Sequence, residues 1–93
     1  MYKFKNLPNE EKPRERLKMY GSNNLSNEEL LMIILKTGTK KYSVKEIANN
    51  LLVSIGGIEK LRDITINNLI KIEGIGKIKA IELLAIVELS KRI

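Results

Sequence analysis

The sequence predicts an all-α fold, a compact domain of five or six short helices. Three observations predict it. Apolar residues fall at helical spacing, most regularly at Val44, Ile47, Ala48, Leu51, Leu52 and Ile55, which repeats i, i+3, i+4, i+7, i+8, i+11. Two Ser-x-x-Glu boxes, at Ser26 and Ser43, stand where helices should begin. Glycines at Gly21, Gly56 and Gly57, and Gly74 and Gly76 stand where helices should end or turn.

Taken in order, positions 1–12 are polar, contain Pro8 and hold few apolar anchors, so they read as an extended arm preceding a domain at 13–93. Pro13 suits the first position of a helix, where its missing N–H costs nothing. That helix runs to a stop at Gly21, with Leu17 and Tyr20 facing the core and Arg14 and Arg16 solvated or paired with nearby Glu. After the Ser26 box, Leu30, Leu31, Met32, Ile33, Ile34 and Leu35 are apolar on every side, as in a central buried helix. A basic loop follows, with Gly38 as a flexible point or a left-handed cap. The Ser43 box opens the amphipathic helix, which Gly56 and Gly57 close, with Lys45, Glu46, Asn49 and Asn50 on its wet side. Ile58, Leu61 and Ile64 anchor a short helix, and Thr65 caps the next, through Leu69 and Ile72. The last helix spans about 77–91, with Ile78, Ile81, Leu84 and Ala85 as its expected apolar face and Leu89 near its end.

Composition narrows the function. The 93 residues carry seventeen Lys and Arg against eleven Asp and Glu, a formal charge of +6 that favours an anionic partner, nucleic acid first. With no Trp, one Phe and three Tyr, base stacking is a poor main binding mode. There is no Cys and no His, so disulfides, thiolate metal sites and the usual general base are excluded. No constellation of acids stands out for catalysis, with Asp63 the single Asp, so the chain reads as non-catalytic, without metal, cofactor or small-molecule substrate. The longest apolar run, 30–35, is too short to span a bilayer, and the first residues lack a signal-peptide core, so a cytoplasmic location away from membranes is expected.

The sharpest motif is Gly74, Ile75, Gly76, Lys77, Ile78, Lys79. It reads as a tight turn into a helix whose first amides lack intrahelical acceptors, with two lysines beside them, a combination suited to phosphate. It resembles a helix-hairpin-helix element, a DNA-binding motif that ignores sequence. Glu73, anionic and just before the turn, works against it. The 30–35 segment, the Gly38 loop and the helix after Ser43 mirror 69–72, the glycine turn and the helix after Lys77. The pair reads as a tandem (SAM/helix-hairpin-helix-like) domain. Gly38, Thr39, Lys36, Lys40 and Lys41 of the first turn then act with Lys71, Lys77 and Lys79 of the second on DNA phosphates.

KPRERL at 12–17, LSNEELL at 25–31, LKTGT at 35–39, IGGIEKL at 55–61, IEGIGKIKA at 72–80 and ELSKR at 88–92 occur in an order that resembles the N-terminal domain of the bacterial RadC-like DNA repair protein family. The resemblance covers about 7–92. It implies a helix-hairpin-helix fold and a role in DNA repair. Family members often carry a second glycine in the first loop, near Lys41 here. They continue into a JAB/MPN-like domain with a His- and Asp-based metal site, chemistry this chain cannot carry, so an excised or stand-alone domain is expected. Two functions follow: a DNA-binding module, or a protein-interaction module that positions such a C-terminal domain or a repair partner.

Overall fold

Pro13 opens the first helix, α1 (Pro13–Tyr20), in a computed structural model that describes residues 12–93. The arm read at 1–12 therefore lies outside the described residues, apart from Lys12, the extended N-cap of α1. Gly21, at φ 90°, ends α1 and leads into a 3₁₀ turn, Ser22–Asn24. The helices α2 (Asn27–Leu35), α3 (Val44–Ile55), α4 (Ile66–Ile70) and α5 (Lys77–Arg92) follow, with a 3₁₀ helix, Ile58–Asp63, between α3 and α4. The described residues form helices and turns only, the all-α class expected. None of these helices is long and apolar enough to cross a membrane.

Both capping boxes form. Ser26 Oγ accepts from the Glu29 amide at 3.1 Å, and Glu29 Oε1 accepts from the Ser26 amide at 2.9 Å. The Ser43 and Glu46 pair repeats this at 3.1 and 2.8 Å. Thr65 Oγ1 caps α4 by accepting from the Asn68 amide at 3.2 Å. Each box satisfies two amide donors that a helix start leaves open.

Glu29 is also tied to α1, because Arg16 Nε lies 2.9 Å from its Oε2. The Ser26 amide lowers the Glu29 pKa below its usual 4.5, with Arg16 and the Ser26 hydroxyl helping and burial opposing. A carboxyl lowered in the folded state adds stability above its unfolded pKa and loses it as pH falls through the folded value. Thermal melts between about pH 5 and pH 3 should therefore show a loss of stability that Glu29→Gln makes shallower.

The core collects Leu31, Met32 and Leu35 of α2, Ile47, Ala48 and Leu51 of α3, Leu61, Leu69, Ile72 and Ile75, and Ala80 and Leu83 of α5. The α3 stripe is as its spacing predicts. Helix α2 packs most extensively on α3, and α4 on α5, giving two helix pairs each joined by a turn.

Three expectations are corrected. Tyr20 does not face the core: it is exposed, with the Arg16 guanidinium 5.9 Å from its ring centre. Helix α5 buries Ala80 and Leu83, with Leu84 and Val87 packed beside them, while Ile78, Ile81 and Leu89 are 73%, 56% and 62% exposed and Ala85 is exposed too. This helix is apolar around most of its circumference, so spacing alone selects more than one face; contact with α4 and the core decides which is inward. Gly38 has no positive φ and is not a left-handed cap. A Cβ there would sit 2.3 Å from the Tyr42 carbonyl oxygen and 2.9 Å from Val44 N, so its glycine serves close backbone approach at the start of α3.

Candidate nucleic-acid interface

The second turn is built from its two glycines, which have different jobs. Gly74 holds φ 93°, and a Cβ on it would lie 2.5 Å from Ile47 Cγ1. Glycine is needed there for conformation and for packing on α3. Gly76 holds φ −91°, and a Cβ on it would meet none of the described residues within 4 Å. Among the described residues, neither strain nor crowding calls for glycine at Gly76. The missing side chain leaves open approach to the start of α5.

That start is chemically distinct. The first α5 bond across its cap runs from the Ala80 amide to the Gly76 carbonyl at 3.0 Å. The amides of Lys77, Ile78 and Lys79 thus have no acceptor in the preceding turn, and among the described residues no side chain caps them. Helices α1, α2 and α3 each carry Glu in the first turn and α4 carries no charge there, whereas α5 has Lys77 and Lys79. Cations at a helix N-terminus oppose the macrodipole, each at a cost of about 0.3–1 kcal/mol. An anion at this point would reverse that penalty. The inverted charge order was readable in the sequence and is the signal that spacing and glycine count leave out.

Of the other residues read as contacts, Gly76, Lys77, Lys71, Gly38, Thr39, Lys40 and Lys41 are exposed, and Lys79 is half-buried. Ile75 is different: its side chain is 3% exposed, and its amide donates to the Ile72 carbonyl at 3.0 Å. It pins the turn into the core and offers no donor outward. Within the first loop, the Thr39 amide donates to Tyr42 O at 2.8 Å, and Thr39 Oγ1 accepts from the amides of Lys41 and Tyr42 at 3.2 and 3.0 Å. That loop spends these donors on itself and presents charge rather than amides. Among the described residues the ion pairs are Arg16 with Glu29, Lys45 with Glu28 and Arg92 with Glu88. The lysines of both turns stand outside them, though Lys41 rests 5.6 Å from the Tyr42 ring centre.

Both turns pack against the first turn of α3. Gly38 abuts the backbone of Tyr42, Ser43 and Val44, and Gly74 abuts Ile47. Val44 and Ile47 are three residues apart on α3, about 4.5 Å along its axis. Lys36 leads into the first turn with φ 71° and ψ −61°, and the Thr37 amide donates to Leu35 O at 2.8 Å, an i→i+2 turn. A lysine held so costs on the order of 1–3 kcal/mol. No sequence signal marks it.

A family model described as UPF0758 N-terminal matches residues 4–81. Similar proteins include a UPF0758 protein of Bacillus pumilus, 52% identical over 90 residues, covering 97% of this chain and 40% of that protein. The UPF0758 protein YsxA of Bacillus subtilis is 50% identical over 91 residues, covering 98% of this chain and 39% of its own. A UPF0758 protein of Clostridium botulinum is 48% identical over 91 residues, covering 98% and 40%. The chain thus spans about two fifths of the length of these relatives. No solved structure matches it significantly.

Proposed function

The chain belongs to the UPF0758 N-terminal family, and from that premise we propose that it is a non-catalytic DNA-binding module, largely indifferent to sequence. The carrying observation is the start of α5, where uncapped amides, an unobstructed Gly76 and the dipole-opposed Lys77 and Lys79 coincide. Backbone amides and ammonium groups there would hold phosphates of one strand, and Lys71, Lys40 and Lys41 would add charge. The landmark order shared with RadC-like repair proteins supports a place in DNA repair. If about four phosphates are neutralised, log K on duplex DNA should fall against log salt with a slope of roughly −3.6. Affinity should be on the order of 10⁻⁴–10⁻⁶ M at physiological salt. Fluorescence anisotropy with a labelled duplex across a salt series checks both values; a slope near zero defeats the proposal.

One observation favours a second reading, a module that positions the rest of a longer protein. Ile78, Ile81, Ala85 and Leu89 line the face of α5 opposite Ala80, Leu83 and Val87, and they are exposed. An apolar stripe of this kind marks a contact surface, and the relatives' lengths supply a partner, the remainder of the same polypeptide. Under this reading a hydrophobic dye binds this region alone more strongly than it binds a full-length family member. Equal dye binding by the two defeats it.

A further inference from the structure

Beside the second turn lies a cleft of about 470 Å³ between the end of α3, the 3₁₀ helix and α4. Ser54, Lys60, Asn68 and Lys71 line it with polar groups, and Ile55, Ile64 and Ile72 with a smaller apolar part. Among the described residues no carboxylate lines it. Neither Lys60 nor Lys71 takes part in the ion pairs of the described residues. The cleft is open and its exposed lining is more polar than apolar, which suits a charged, hydroxylated ligand rather than a greasy one. We propose that this cleft takes one unpaired nucleotide of the strand held at the 74–76 turn.

The chemistry of each group fits that ligand. Lys60 and Lys71 supply two cations for a phosphate. The Asn68 side chain presents both a donor and an acceptor, and the Ser54 hydroxyl does the same, which suits a sugar hydroxyl or a base edge. The three isoleucines add a small apolar patch for the edge of a sugar or base. A base in a duplex is stacked and its pairing edge is engaged, so only an unpaired nucleotide can enter. Lys71 and Gly76 are five residues apart, at most about 18 Å of chain, so turn and cleft can hold neighbouring parts of one strand. The inference rests on the DNA-binding reading and adds to it a preference for single strands, ends or branches.

The test compares the 93-residue chain with a Lys60→Gln/Asn68→Ala variant on two probes, an oligothymidylate and a blunt duplex. Both residues are exposed, so the variant should keep its melting temperature. The expected result is a roughly tenfold loss of affinity for the oligothymidylate with a salt slope shallower by about 0.7, and less than a twofold change on the duplex. Equal losses on both probes would make the cleft a source of charge only, and no loss on either would empty it of function; each result overturns the proposal. A parallel Lys77→Glu/Lys79→Glu variant on the duplex decides the turn separately, so failure of the cleft is distinguishable from failure of DNA binding.

Discussion

Replacing Lys77 and Lys79 together with Glu should abolish most duplex binding, by at least about 100-fold in low salt, and roughly halve the salt slope as two phosphate contacts disappear. The same change does not weaken the fold. Two carboxylates at the start of α5 complement its dipole where two ammonium groups oppose it, a gain of about 0.3–1 kcal/mol at each position. The melting temperature should therefore hold or rise while affinity collapses. That opposition separates a lost contact from a lost structure. DNA binding that survives the double substitution would remove the α5 start as the contact.

The second large effect comes from exchanging the two glycines for alanine one at a time. Gly74→Ala must place a Cβ at positive φ and 2.5 Å from Ile47 Cγ1 in a fully buried neighbour. Strain and overpacking together should cost about 2–4 kcal/mol. For a domain of this size that lowers the melting temperature by roughly 10–20 °C. Gly76→Ala meets nothing and needs no unusual φ. It should cost only about 0.5–1 kcal/mol, the difference between glycine and alanine at an N-cap. DNA affinity should nonetheless fall, because the methyl group stands where a phosphate would approach. Paired calorimetry and anisotropy on both variants check this; equal melting temperatures would contradict the division of labour between the glycines.

Much of the fold was legible because local chemistry and global packing agree. The Ser26 and Ser43 boxes and the α3 stripe carry their own instructions within a few residues, and all form as read. The α5 face was not legible, since Ile78, Ile81 and Leu89 are as apolar as Leu83 and Val87 and only the tertiary partner distinguishes them. Gly38, Gly74 and Gly76 look alike in a sequence. One avoids the backbone of Tyr42, Ser43 and Val44, one avoids Ile47 at positive φ, and one avoids nothing. The polar rim around Asn68 joins segments from both sides of Gly56 and Gly57, a meeting that no linear motif announces.

Both turns lean on the opening turn of α3, Gly38 against Val44 N and Gly74 against Ile47. The span between them is thereby set like the jaws of a caliper, whose pivot is a single capped helix end. Loosening the Ser43 and Glu46 clasp would slacken both jaws at once, so the gauge of the domain is governed from a helix cap rather than from the lysines themselves.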